Sequence, residues 1–175
     1  TGRAGGGLCV ERAAAKAAKN RPETPAMTAM WRGYVGGIQD APDATVTSLP
    51  RAQLEALAKS MVELPPGFTP HPKIVRLLEQ RAQMGKGERS IDWGMGELFA
   101  YASIIVAGTN FRMSGQDCAR GTFSHRHAIL ADVRTGREHN VLCNLDPEQG
   151  MARIYDSPLS EAGVLGFEFG YSLDY

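Results

Sequence analysis

Between Asp92 and Tyr171 the spacing of apolar residues switches from helical to extended and back, and this constrains the fold more than any other feature. Asp92 is a good N-cap. Leu98, Tyr101, Ala102 and Ile105 follow at helical intervals, Glu97 falls within the same helix, and Gly108 ends it. Phe111-Arg112-Met113-Ser114 reads as a short buried strand running into Gly115-Gln116-Asp117. Residues 128–133, Thr135-Gly136 and residues 138–145 read as strand, tight turn and strand, and 152–155 as a further strand. Ser160 caps a last helix with Val164, Phe167 and Tyr171 on one face. Helix, three or more strands and helix form an α/β pattern. Open sheets of that class place ligands in the loops after their strands, here 115–127 and 156–160.

Upstream the pattern is helical only. Ser48 and Pro50 open a helix whose stripe is Leu54, Leu57, Ala58 and Met61, and Leu64-Pro65-Pro66-Gly67 stops it. A second helix follows Thr69-Pro70, with Ile74, Leu77 and Leu78 as its stripe, Arg76 and Arg81 on its wet side, and Gly85/Gly87 at its end. The lone His71 beside prolines reads as structural or exposed. Residues 1–25, with Gly5-Gly6-Gly7, an Ala-rich stretch at 13–18 and Pro22/Pro25, read as a flexible lead around a marginal helix. The Gly run lacks the Lys-Ser/Thr that a phosphate loop requires after it. The chain therefore divides near residue 90, into a helical connector (1–90) and an α/β segment (91–175).

Charge narrows the function classes. Nineteen Lys+Arg balance 19 Asp+Glu. That balance argues against a cationic nucleic-acid binder or a polybasic membrane-surface protein. No apolar run approaches the roughly 20 residues that span a bilayer. Cys9, Cys118 and Cys143 are odd in number and irregularly spaced, so no disulfide framework is implied. The chain starts at Thr1 and stops directly after an apolar helical run, so both ends are expected to be cuts in a longer polypeptide.

Three clusters could carry chemistry. Ser114-Gly115-Gln116-Asp117 ends a strand and offers close backbone approach, an amide and a carboxylate, or simply a turn capped by Asp117. Arg120-Gly121-Thr122-Phe123-Ser124-His125-Arg126-His127 concentrates cations suited to a carboxylate or phosphate, or forms a solvated surface loop. If this segment is extended, His125 and His127 share a face. They could then bind a metal with Cys118, His139 or Cys143, although no familiar zinc spacing is present. In Ser157-Pro158-Leu159-Ser160-Glu161, Glu161 suits the first turn of the apolar helix. Its flanks Leu159, Ala162, Gly163, Val164 and Leu165 would raise the pKa of a carboxyl held among them. Glu168, two turns on, reads as packing or salt-bridging. Gly163, Gly166 and Gly170 predict close contact with a neighbouring helix or subunit.

Several of these segments together resemble the E1 components of 2-oxoglutarate dehydrogenase complexes, a thiamine-diphosphate family. They are Ile91-Asp92-Trp93-Gly94, Arg112-Met113-Ser114-Gly115-Gln116-Asp117, Arg120 to Ala128, Tyr155-Asp156-Ser157-Pro158-Leu159-Ser160-Glu161 and Gly166-Phe167-Glu168-Phe169-Gly170-Tyr171. The likeness is strong over 91–172 and weaker over 27–90, where Met30-Trp31 and Gly67-Phe68-Thr69-Pro70-His71-Pro72-Lys73 carry it. It implies that 91–175 begin a transketolase-like pyrimidine-binding domain with a mainly parallel sheet. It implies that Glu161 hydrogen-bonds N1′ of the aminopyrimidine and so promotes the proton loss that precedes decarboxylation. By the same resemblance, Leu159, Gln116 and Asp117 line the cofactor cleft, and His125 and His127 face substrate or an incoming lipoyl arm.

The pyrophosphate and Mg²⁺ would be held by a Gly-Asp-Gly…Asn motif that this sequence lacks. The resemblance further implies a homodimer with a site spanning two subunits, an E2 succinyltransferase partner with its lipoyl domain, and the tricarboxylic acid cycle as setting. The compartment would be the bacterial cytoplasm, or the mitochondrial matrix in a eukaryote. The piece alone is expected neither to bind cofactor nor to decarboxylate. Related alternatives are a 2-oxoadipate E1, a stand-alone 2-oxoglutarate decarboxylase, and a non-catalytic domain of the same fold.

Overall fold

The structure, a computed structural model, describes residues 47–174. The readings of residues 1–25, of Met30-Trp31 and of Cys9 lie outside the described residues. Helix α1 (Arg51–Val62) starts after Pro50, which serves as N-cap without a side-chain hydrogen bond. Ser48 is therefore not the cap: Pro50 presets the entry, and its carbonyl accepts from Gln53 N (3.0 Å) and Leu54 N (3.2 Å). Leu57, Ala58 and Met61 are buried as the stripe predicts.

Helix α2 (Pro72–Lys86) is capped by His71, whose Nδ1 accepts from Lys73 N at 3.2 Å. Gly87, at φ 74°, closes it, with Glu88 N donating to Gln83 O and Gly87 N to Met84 O. α1 and α2 cross where Gly85 meets Ala58: a Cβ added to Gly85 would lie 2.2 Å from the Ala58 Cβ. Arg81 corrects the sequence reading. Instead of facing water it is 1% exposed, because position 81 falls on the same inner face as Leu78 and Gly85. Its guanidinium donates to the carbonyls of His125, Arg126 and His127.

Helix α3 (Trp93–Val106) is capped by Asp92, whose Oδ1 accepts from Met95 N at 2.8 Å. Met95, Leu98, Ala102 and Ile105 are fully buried and form the core with Met61, Leu130 and Leu142. Among the described residues no helix is long and apolar enough to cross a membrane.

Strand β1 (Phe111–Gly115) is followed by β2 (Ile129–Ala131), β3 (Glu138–Asn140), β4 (Ala152–Asp156) and helix α4 (Glu161–Asp174). β1 and β4 pair in parallel, from Phe111↔Ala152 to Gly115↔Asp156. β2 and β3 form a separate antiparallel hairpin. The strand read at 138–145 thus stops at Asn140. Beyond it side chains take over the backbone groups: Asn140 Oδ1 accepts from Leu142 N (3.0 Å), and Gln149 binds Leu145 N (2.5 Å), Asp146 N (3.1 Å) and Leu142 O (3.0 Å).

Asp132 closes the hairpin and ties it to the loop before α2. It is 4% exposed and accepts from Thr69 N (2.7 Å), Arg134 N (2.8 Å) and Thr135 N (2.8 Å). Val133 N returns to Thr69 O at 2.9 Å. These bonds, first those from Thr69 and Thr135, hold the Asp132 carboxyl down to a pKa of about 2.

Two predictions follow from this packing. Ala at position 85 gains about 1 kcal/mol in helix propensity. Its Cβ nevertheless collides with Ala58, and overpacking of this kind costs about 1–3 kcal/mol. Gly85→Ala should therefore lower the thermal midpoint, and adding Ala58→Gly should recover part of the loss. For Asp132 the folded pKa is depressed, so its contribution is complete above about pH 4, the ordinary carboxylate range, and is lost as pH falls towards 2. Asp132→Asn should destabilise the chain at neutral pH and flatten the pH dependence of denaturation between those limits.

Candidate functional site

Because β1 and β4 are parallel and in register, their C-terminal ends, Gly115 and Asp156, lie side by side. Both following loops are pinned there. Ser157 N donates to Gly115 O at 2.8 Å, and Asp156 Oδ1 accepts from Ala119 N at 2.8 Å. Gly115 stands at φ 149°, and a Cβ there would lie 3.1 Å from Cys118 Sγ. Asp117 turns left-handed at φ 53°; its carbonyl accepts from Gly121 N at 2.7 Å and its carboxylate lies 3.4 Å from Arg120 Nη2. Asp117 is therefore engaged in its own turn, whereas Gln116 is exposed.

On the β4 side Ser160 Oγ accepts from Gly163 N at 3.1 Å and caps α4, as the sequence predicts. Glu161 opens that helix and is exposed. The apolar surround read for its carboxyl is not formed by the described residues: Leu159 is 77% and Leu165 70% exposed. Gln116, Leu159 and Glu161 thus stand at one edge with their side chains open to a ligand.

The rotation of α4 is set by Glu168. Arg112 grips its two oxygens at 2.5 Å each, and Ser114 Oγ donates to Oε1. Arg112 also lies 3.6 Å from the ring centroid of Tyr171 and 5.5 Å from that of Phe167. Hydrogen bonds from Arg112 and Ser114 lower the Glu168 pKa, and the bond to Glu168 raises that of Arg112. Apart from its chain neighbours and the nearby backbone of α4, no described atom lies within 4 Å of a Cβ built at Gly166 or Gly170, and one at Gly163 meets only Ser160, so the described residues do not make the close contact with another helix read from these glycines.

The segment 120–127 is not extended. Gly121 (φ 81°), Ser124 (φ 55°) and His127 (φ 41°) coil it, and Arg126 N and His127 N both donate to Arg120 O at 2.9 Å. His125 and His127 consequently do not share a face. His125 Nε2 lies 3.4 Å from Glu97 Oε2, and its Nδ1 is buried with no hydrogen-bond partner. His127 instead lines a groove of about 580 Å³ with His71, Lys73, Arg76 and Ser124. Burial, Arg81 and Arg120 lower the His127 pKa. Among the described residues no group of three or more His, Cys, Asp or Glu could hold a metal ion, so the cluster of the metal reading is not assembled. Burial raises the pKa of the Cys118 and Cys143 thiols.

Sequence reasoning missed the hub at Glu97. Its Oε1 accepts from Arg126 Nη2 (2.6 Å), Arg126 Nε (3.1 Å) and Tyr101 OH (2.5 Å). Burial pushes the Glu97 pKa up, but these bonds overcome it and the net shift is downward. Burial and Glu97 together push the Tyr101 phenol up to about 12. The i, i+4 spacing of Glu97 and Tyr101 was the available signal.

Residues 89–175 match the transketolase pyrimidine-binding domain model. The chain is 44% identical over 144 residues to the 2-oxoglutarate dehydrogenase E1 component of Coxiella burnetii, an overlap of 82% of this chain and 15% of that protein. The namesake from Rickettsia conorii is 41% identical over the same coverage, and that from Rickettsia felis is 40% identical over 89% of this chain and 16% of the relative. The chain thus spans about 15% of the length of the curated relatives it matches. A parallel strand pair ending at a Ser-capped helix, within a segment that matches a pyrimidine-binding domain, together with 40–44% identity to these E1 components over most of the chain, places the chain in the 2-oxoglutarate dehydrogenase E1 family.

Proposed function

We propose that the chain is part of an E1 enzyme that decarboxylates 2-oxoglutarate with thiamine diphosphate and transfers the succinyl group to the lipoyl group of an E2 partner in the tricarboxylic acid cycle. The observation that carries this reading is Glu161, an exposed carboxyl in the first turn of α4 at the C-terminal edge of the parallel pair.

The edge fits an aminopyrimidine. Glu161 supplies the acid or carboxylate that a ring nitrogen requires, Leu159 an exposed apolar wall, and Gln116 a free donor and acceptor on the neighbouring strand end. Asp117 holds the turn between them. When bound, the cofactor supplies the electron sink for loss of CO₂. Glu161 holds a proton at the ring nitrogen. The Arg112–Glu168 pair keeps α4 in the rotation that aims it, and Asp156 fixes the loop bearing Gln116 and Asp117. His125 and His127 belong to the cationic loop that would meet the anionic substrate or the lipoyl arm.

Residues 1–90 act in this reading as the connector before the pyrimidine domain. The pyrophosphate and its Mg²⁺ are held by a domain outside this chain, and a second E1 subunit completes the site. The parent enzyme works in the bacterial cytoplasm or the mitochondrial matrix.

In the full-length enzyme Glu161→Gln should cut decarboxylation by at least about 10²-fold, the scale of a lost general acid–base group. Because the side chain is exposed, the thermal midpoint should stay within a few degrees; wild-type turnover would remove Glu161 from this role. The 175-residue chain alone should show no heat of thiamine-diphosphate binding in calorimetry at micromolar concentration. A saturable micromolar isotherm would mean that the cofactor site needs no second domain.

A further inference from the structure

Arg81 lies on α2, outside the segment that matches the pyrimidine-binding domain. Its hydrogen bonds among the described residues all go to backbone: Nη1 to His127 O (3.4 Å), and Nη2 to His125 O (3.3 Å) and to Arg126 O. Asp92 acts on it only through space, and burial lowers its pKa to about 10. A cation so deeply buried is costly when no carboxylate is bonded to it, and an apolar side chain would fill the inner face of α2 without that cost.

The loop that it grips is held under strain. Ser124 and His127 adopt left-handed backbone without being glycine, and three successive carbonyls turn inward between and at these positions. The opposite side is closed as well. A Cβ at Gly94 would lie 2.5 Å from His125 O, and one at Gly121 would lie 2.5 Å from His125 Cε1. With the carbonyls gathered by Arg81, the side chains are directed elsewhere: His125 and Arg126 to the half-buried Glu97, and His127 to the groove beside His71, Lys73 and Arg76.

We propose that Arg81 is a positioning residue for the active site: by gathering three consecutive carbonyls of the His125–His127 run it fixes where those two imidazoles stand and thereby sets affinity for the anionic substrate. This rests on the function proposed above. The guanidinium touches neither substrate nor cofactor; it acts through the loop, so its loss falls on substrate binding rather than on the proton held by Glu161.

The test uses the full-length enzyme with Arg81→Lys, Arg81→Met and, as a separate arm, Glu161→Gln. Arg81→Lys keeps the charge but not the planar fork, and should fold with wild-type circular dichroism. It should raise KM for 2-oxoglutarate at least 10-fold while kcat changes less than 3-fold, and Arg81→Met should raise KM further. A second readout is independent of turnover. The His127 imidazole, followed by NMR in histidine-labelled enzyme and assigned by its loss in His127→Gln, should titrate at higher pH in Arg81→Met than in wild type. In Arg81→Lys, which keeps the charge, the titration should stay near its wild-type value, but the His125 and His127 ring resonances should still shift, because the fork that gathers the three carbonyls is lost. The other charges facing His127 (Arg120 and His125 on its own loop, His71 at the cap of α2, and Lys73 and Arg76 on α2) are common to all variants.

If Arg81→Met fails to fold, the KM of Arg81→Lys decides. Wild-type KM in folded Arg81→Lys would overturn the proposal. So would an Arg81→Met enzyme whose KM and His127 titration are both unchanged. Wild-type turnover in Glu161→Gln would overturn the functional reading instead, and the NMR arm would still judge whether Arg81 positions the loop.

Discussion

The candidate site depends on the parallel pairing of β1 with β4. The pair is separated in sequence by the hairpin and its loops, so its register is a tertiary fact. A shift by one residue would turn every side chain of β1 to the other face. Arg112 and Ser114, two apart on β1, point to one face, and both bind Glu168. The register that aligns Gly115 with Asp156 therefore also presents the Arg112/Ser114 cradle to the second turn of α4. Glu161, seven residues before Glu168 on that helix, is carried to the sheet edge by the same contact.

Much of this was legible in the sequence because local rules agreed with the tertiary result. Asp92 and Ser160 cap the helices that their positions announce, and Leu57, Ala58 and Met61 are buried where helical spacing puts them. Gly85 was read as part of a helix end, yet it lies inside α2, where its missing side chain makes room for Ala58. The failures have a common physical form. Arg81 was placed in water by its charge although its position lies on the buried face, and backbone carbonyls 44 or more residues away cannot be foreseen from spacing. The shared face of His125 and His127 held only if residues 120–127 were extended. Left-handed Ser124 and His127 overturn that, and nothing in their residue types announces a positive φ.

The exposure of Glu161 divides what this chain supplies from what it lacks. Sequence reasoning expected apolar neighbours around the carboxyl because Leu159, Val164 and Leu165 flank it. Helical geometry instead spreads them: Val164 turns inward, while Leu159 and Leu165 stand out. Leu165, Phe169 and Leu173 follow at intervals of four along the exposed side of α4. In the proposed enzyme the dry surround of the carboxyl must come from residues other than those described here, and the chain spans only about 15% of each of these relatives.

Arg81, Asp132 and Asp156 show one solution used three times. Each charged side chain accepts from or donates to backbone of a distant loop: Arg81 to 125–127, Asp132 to 69 and its own turn, Asp156 to 119. Backbone groups suit this purpose because they cannot rotate away, so a charge-assisted bond to them fixes the path of the chain and not merely a contact. An ion pair between two long side chains leaves both free to move together and is weakened by solvent. The loops at the candidate edge are therefore anchored through their main chains, which leaves the side chains of Gln116, Leu159 and Glu161 uncommitted. In the proposed enzyme, whose site would be assembled between domains, this arrangement lets one half hold its shape before the other half arrives.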